Sequence, residues 1–279
     1  MPELPEVETM RRGILGVIGS RISRLAQIRS RLQPIIMRPS LPALRRRVVG
    51  RRISDVHRVG KRVVLKLENQ DGLVFEPRMT GLVLLADPPD QTHLRLQLDL
   101  EGGPVRQLWF WDRRGLGQVH LLTASELSAQ LGPDRLGPDA LILQPGELRR
   151  RLAHTRRPIK VALLDQRIVA GIGNLYASEI LHVARIDPRS TCRALTASQW
   201  QRLHSAVTKV LQEAIRYEGS TLSDGTYRNV LNNPGGYQNH HRVYARAGQD
   251  CPRCRREKVQ RIVQAQRSTF FCPGCQKHR

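Results

Sequence analysis

The stretch Leu94-Arg95-Leu96-Gln97-Leu98-Asp99-Leu100 alternates apolar and polar side chains without a break. Successive side chains leave a strand on opposite faces, so a period of two marks a strand with one face on a core and one toward water. Upstream, Arg62-Val63-Val64-Leu65-Lys66-Leu67-Glu68 puts residues 63, 65 and 67 on one face, and Val105 to Trp111 reads as a further strand. Such strands, separated by Gly, Pro and Asp turns, predict a mostly antiparallel sandwich or barrel. Residues 1 to about 16 read instead as a helix. Pro5 suits its first turn, Glu6 and Glu8 its positive end, Arg11 and Arg12 its negative end, and Val7, Met10 and Ile14 form one apolar stripe. After Leu136-Gly137-Pro138-Asp139 the period turns helical. Thr196 and Gln199 make a capping box ahead of Trp200, Leu203, Val207, Val210, Leu211, Ala214 and Ile215, which predicts an amphipathic helix. A loop rich in Gly, Asn and Pro (219 to 236) leads to a Cys-bearing tail.

The chain has 279 residues, 46 Lys+Arg and 24 Asp+Glu, for a net charge of +22. Its 40% hydrophobic and 25% charged content is that of a globular protein and argues against disorder. No apolar run is long enough to span a membrane, and the acidic start Met1-Pro2-Glu3-Leu4-Pro5-Glu6 is unlike a signal peptide. The excess of positive charge implies a polyanionic partner, nucleic acid by default. Four of the five cysteines, Cys251, Cys254, Cys272 and Cys275, form C-x2-C-x17-C-x2-C. Two knuckles of this spacing supply four thiolates for one Zn²⁺; two disulfides are the alternative, disfavoured without an export signal. The compartment is then reducing, and Cys192 reads as a small buried hydrophobe.

Several constellations bear on chemistry. Removal of Met1 ahead of the small Pro2 would leave a secondary amine, with an ordinary pKa near 8. Such an amine adds to an aldehyde-level carbon to give an iminium, and Glu3 lies beside it to move protons. An ordinary trimmed terminus is the bland alternative. Gly171-Ile172-Gly173-Asn174 entering a helix, with Arg156, Arg157 and Lys160 upstream, reads either as a phosphate clamp or as a simple turn. The Cys-bearing module carries Arg255, Arg256, Lys258, Arg261 and Arg267 on a basic face, either purely structural or aimed at phosphates. Lys61, Met79, His93 and Asp112-Arg113-Arg114 lie on β-domain loops, where a Met can wedge into a base stack and an Arg can bond a base edge or phosphate.

Taken together, these segments resemble the bacterial formamidopyrimidine-DNA glycosylases, on the purine side of the wider family shared with endonuclease VIII. Met1-Pro2-Glu3-Leu4-Pro5-Glu6-Val7-Glu8-Thr9 is similar to that family's start. Leu136 to Asp139, Ile159-Lys160, Leu164-Asp165-Gln166, Val169 to Asn174, Tyr176-Ala177-Ser178-Glu179 and Gln266-Arg267-Ser268-Thr269 match further motifs in order. The resemblance implies an N-terminal β-sandwich with an N-terminal helix (1–134), a helix–two-turn–helix domain with a lesion-capping loop (135–236) and a zinc finger with one structural Zn²⁺ (237–279). It implies excision of oxidised purines, such as 8-oxoguanine and formamidopyrimidines, from damaged double-stranded DNA, followed by β,δ-elimination. On this resemblance Pro2 is the nucleophile, Glu3 its acid/base partner, Lys61 a proton donor in β-elimination and Arg267 a phosphate-holding group in the δ step. Met79 fills the stack left by the flipped base, while His93, Arg114, Arg156, Lys160 and Asn174 contact DNA. A monomer working in the bacterial cytoplasm, with no membrane partner, is expected.

The chain also departs from the pattern. Glu76-Pro77-Arg78-Met79-Thr80-Gly81 stands where the family has His-Leu-x-Met-x-Gly, and Leu116 replaces the usual aromatic wedge after the paired arginines. The central zinc spacing is one residue longer than the family's. Two other readings remain: an endonuclease VIII-like enzyme for oxidised pyrimidines, disfavoured by Leu4 and the 219–237 loop, and a non-catalytic zinc-finger DNA-binding protein.

Overall fold

A computed structural model describes residues 2–28 and 32–277. The chain forms two compact units, residues 1–132 with 217–236, and residues 133–216 with 237–279.

The first unit opens with α1 (Leu4–Gly13) and continues through β1 (Arg21–Gln27), β2 (Ile36–Arg38) and α2 (Leu41–Val48). There follow β3 (Ile53–Val59), β4 (Arg62–Leu67), β5 (Gly72–Glu76), β6 (Gly81–Leu84), β7 (Leu94–Glu101), β8 (Gln107–Asp112), β9 (Gln118–Leu122) and α3 (Ala124–Leu131). The strands make two sheets, β1-β7-β8-β6 and β2-β9-β5-β4-β3, antiparallel throughout except for β2 beside β9. The expected sandwich is thus present. Its core joins Leu65, Phe75 and Val119 of one sheet to Leu82, Leu96 and Phe110 of the other, with Val7, Met10 and Ile14 of α1 among them.

Alternation fails at one position of the opening stretch. Arg95 should face water but is only 3% exposed, because the β7–β8 register shifts between Leu94 and Leu96. The bulge turns its guanidinium inward, where Nε donates to the Asp112 carbonyl.

The loop 219–236 belongs to this first unit rather than to the helical segment that precedes it in sequence. The division therefore differs from the expected 1–134, 135–236 and 237–279. The physical reason is burial: Tyr227 and Val230 enter the sandwich core, and a side chain on Gly13 would strike Val230. Burying side chains of this kind is worth about 1.5–3 kcal/mol each.

Helix α1 is fixed electrostatically as well. Glu8 accepts from Arg11, Arg12 and Arg58, and Arg58 also donates to the Gly60 carbonyl in the β3–β4 turn. Burial alone would raise the Glu8 carboxyl, but the three guanidiniums hold it down at about 2, against 4.5 for the free group. A carboxyl depressed in the folded state stabilises above its unfolded pKa and stops doing so as pH falls through the folded value. Glu8 should therefore contribute on the order of 3 kcal/mol at neutral pH, lost between about pH 4.5 and 2. Comparing urea melts of wild type and Glu8→Gln across that range checks this; curves that stay parallel down to pH 2 would refute it.

The second unit holds α4 (Glu147–Leu152), α5 (Ile159–Leu163), α6 (Asn174–Ala184), α7 (Ala197–Arg216) and the hairpin of β10 (Gln260–Gln264) and β11 (Arg267–Phe271). The Thr196–Gln199 capping box forms as expected at the start of α7. Helix α6 packs on α7 and on β11, and all of it except Asn174 and Val183 is buried. None of the described helices is long and apolar enough to cross a membrane.

Candidate functional site

In the first unit the reactive end is built around one carboxylate. Glu3 is the N-cap of α1, and its backbone N–H donates to Glu6 Oε2 at 2.9 Å. The other oxygen of Glu6 accepts the Ser220 N–H, also at 2.9 Å. Glu6 is buried, so it holds the Pro2–Glu3 segment and the start of the 219–236 loop in one arrangement. Gly219 makes this approach possible: its φ is +79°, and a Cβ there would lie 2.9 Å from Glu6. Pro2 and Glu3 are themselves buried. Lys61 occupies the two-residue β3–β4 turn after Gly60, whose φ of +56° suits a tight hairpin. Since α1 packs on β3 and β4, and Arg58 ties that turn to Glu8, Lys61 and Pro2 are borne by elements locked to one another.

A second carboxylate gathers the loop residues. Asp112, fully buried, accepts from the Thr80 hydroxyl and from the N–H groups of Arg114 and Gly117. The Thr80 hydroxyl in turn accepts the Arg114 N–H, and the Asp112 N–H donates to the His93 carbonyl. Met79, His93, Arg114 and Leu116 are thereby brought to one end of the β7-β8-β6 edge of the sandwich. Met79 and Leu116 are exposed apolar side chains, 37% and 38% accessible. His93 Nδ1 bonds Asp90 Oδ1 at 2.7 Å, which sets the ring's orientation. Although burial opposes it, the bonds from His93 hold the Asp90 carboxyl below its ordinary range.

In the second unit Lys160, a candidate phosphate ligand, is completely buried. Its Nζ donates to Asn174 Oδ1 (2.6 Å), Thr269 Oγ1 (2.7 Å) and the Ser268 carbonyl (3.1 Å). The Asn174 amide also donates to that carbonyl. Lys160 therefore clips the N-terminus of α6 to β11, one residue from Arg267. A phosphate reaching this ammonium must take over one of those bonds. Arg267 and Arg156 are exposed, and Arg156 makes no hydrogen bond to the cluster among the described residues. The tip residues Ala265 and Gln266 both have positive φ, 46° and 61°, a turn that non-glycine residues enter only at a cost.

The four cysteine sulfurs, Cys251, Cys254, Cys272 and Cys275, lie within 4.8 Å of one another. The Cys251–Cys275 and Cys254–Cys272 separations are 3.8 and 3.7 Å. A tetrahedron with Zn–S bonds of about 2.3 Å has edges of about 3.8 Å, so the cluster fits one structural zinc ion. Backbone N–H groups of Arg256 and Glu257 draw the Cys254 thiol down, while burial pushes those of Cys272 and Cys275 up, so metal binding must release protons there. Cys192 is buried, as expected, and burial raises its thiol to about 11.

Family models for the formamidopyrimidine-DNA glycosylase N-terminal domain (residues 1–119), the H2TH domain of the same enzymes (131–226) and the zinc finger found in FPG and IleRS (248–277) match along the chain. The chain belongs to the formamidopyrimidine-DNA glycosylase family. It is 43% identical to the Chloroflexus aurantiacus formamidopyrimidine-DNA glycosylase, over 99% of this chain and 98% of that protein. The MutM (Fpg) protein of Thermus thermophilus superposes with a TM-score of 0.86, at 40% identity and full coverage of both chains. The Lactococcus lactis Fpg bound to abasic-site DNA gives 0.86 at 31% identity, covering 99% of each chain. By membership the chain is a DNA-repair enzyme, a glycosylase with a zinc finger.

The sequence places Glu6 at the positive end of α1, Asp112 on a β-domain loop and Glu179 in a family motif, but identifies none of the groups they hold. Glu179 stands inside the apolar helix α6, fully buried, and accepts the N–H groups of Arg242, Val243 and Tyr244. Burial raises its pKa against those bonds. The one available signal is an acid on an otherwise apolar helical face, which implies partners that only the fold supplies.

Proposed function

We propose that the chain is a bifunctional glycosylase and abasic-site lyase for oxidised purines in duplex DNA. The observation that carries this reading is the fixed Pro2–Glu3 terminus at the N-cap of α1, held by Glu6. With Met1 removed, the Pro2 nitrogen attacks the sugar C1′ and the bond to the damaged base breaks. The base leaves with a proton delivered through Glu3, and ring opening leaves an iminium between Pro2 and C1′. That iminium withdraws electrons, so a C2′ proton is lost and the 3′ phosphate departs, with Lys61 moving protons. A second elimination, with Arg267 on the phosphate, expels the 5′ phosphate, and water releases the sugar fragment from Pro2.

A base inside a duplex exposes no C1′, so it must be flipped at a cost of a few kcal/mol. Met79 and Leu116 offset part of that cost by entering the stack, with Arg114 beside them. His93, Arg156 and Asn174 contact the DNA, Lys160 reaches a phosphate only by exchanging one of its present bonds for it, and the +22 charge adds affinity that is largely independent of sequence. Complexes of the Lactococcus lactis Fpg with Fapy-dG DNA support the purine assignment. The working compartment is the bacterial cytoplasm, on the DNA, as a monomer.

Duplexes that each carry a single lesion test the substrate class. Excision of 8-oxoguanine and formamidopyrimidine should outpace thymine glycol; the reverse order would overturn the assignment.

A further inference from the structure

His182 sits in the last turn of α6, 1% exposed, and its Nε2 lies 3.4 Å from the sulfur of Cys251. Its other ring nitrogen has no hydrogen-bond partner among the described residues. A zinc-bound cysteine is a thiolate and can only accept, so the proton of this contact sits on Nε2. The unpaired Nδ1 is then an acceptor, and the ring spends its single donor on the sulfur.

Two of the other sulfurs draw on the backbone. The Cys275 N–H donates to Cys272 Sγ, and the Arg256 and Glu257 N–H groups donate to Cys254. The N–H of Cys251 itself is turned away from the sulfurs and donates to the Glu257 carbonyl. Arg253 draws the same knuckle onto the helix, donating to the carbonyls of His182 and Val183.

We propose that His182 is a positioning residue of the zinc site, donating Nε2–H to the Cys251 thiolate so that helix α6 helps retain the metal. Four thiolates on one Zn²⁺ leave a net charge of −2, and each N–H···S bond disperses part of it. Without that bond the Cys251 sulfur is more basic, competes better for protons and leaves the metal sooner. Losing an outer partner of a metal ligand typically costs 10–100-fold in metal affinity.

The test uses the full chain with zinc bound. His182→Phe keeps a buried ring and removes the donor, whereas His182→Gln keeps an N–H donor. Zinc transfer to a chromophoric chelator should be about tenfold faster or more in His182→Phe, and restored at least in part in His182→Gln. In the cobalt-substituted proteins, the sulfur-to-cobalt charge-transfer band should move to lower energy in His182→Phe only. Should the Phe variant not fold, His182→Leu against His182→Gln gives the same comparison. Zinc release unchanged in the donor-less variant, or equal loss in both variants with the cobalt band unmoved, would overturn the proposal.

Discussion

Pro2→Gly should lose covalent trapping by borohydride on abasic DNA almost completely. Borohydride reduces an iminium between enzyme and C1′ to a stable amine, so the trapped band counts the intermediate itself. Removing a covalent nucleophile from other enzymes costs roughly four to six orders of magnitude in rate, and a loss of at least about three is expected here. The size of the effect follows from how little else can substitute. Pro2 is buried, and the peptide after it is pinned by Glu6 Oε2 while Oε1 holds Ser220. A glycine there presents a primary amine on a freer backbone, without the ring that fixes the nitrogen's direction. Glu3→Gln should retain trapping on preformed abasic sites while losing base excision, because the abasic aldehyde needs no base to leave. If Pro2→Gly traps as well as wild type, the proline nucleophile is wrong. Failure of Pro2→Gly together with Glu3→Gln on abasic DNA would instead point to a folding defect.

Zinc removal should have the second largest effect, because it reaches beyond the metal. The four thiolates staple the segment that bears β10 and β11, and β11 supplies two of the partners of Lys160. Lys160 is an ammonium with no exposure to water. Leaving such a charge without partners costs about 3–5 kcal/mol, so the loss should propagate to Asn174 and the start of α6. Chelated protein should bind abasic-site DNA at least roughly 100-fold more weakly, about 2.7 kcal/mol. The salt dependence should change with it, the slope of log K on log salt falling by roughly 0.9 for each phosphate the protein no longer neutralises. Titrations over a salt series, before and after chelation and after zinc is restored, measure both quantities. Affinity and slope that survive chelation would show that the zinc module does not order the Lys160–Asn174 cluster.

Much of the fold is legible along the chain because it is local. Alternation in 62–68 and 94–100, the stripe of Val7, Met10 and Ile14, and the Thr196–Gln199 capping box each need only neighbouring residues. The zinc site is legible for the same reason, since each knuckle is two cysteines three positions apart. Pro2 and Glu3 are candidates through the chemistry of a terminal secondary amine, and the family resemblance supplies their context. Arg95 defeats the pattern because a bulge depends on the partner strand, which a single strand's sequence does not encode. The 219–236 segment is readable as a loop but not as part of the sandwich. Its attachment depends on Tyr227 and Val230 meeting strands more than a hundred residues away.

The sequence by itself determined the types of the most regular elements, the four cysteines of the metal site and the polyanionic partner, and it made Pro2 and Glu3 candidates for the chemistry. Those follow from periodicity, charge and the intrinsic chemistry of side chains. Only the tertiary structure decided which groups hold them: Glu6 between Glu3 and Ser220, Asp112 beneath Thr80, Arg114 and Gly117, Glu179 under three N–H groups, and Lys160 sunk between α6 and β11. A buried polar group is tolerable only with partners in place, and those partners come from distant parts of the chain. The +22 charge named the kind of partner, yet one of its lysines serves in this structure to join a helix to the zinc hairpin.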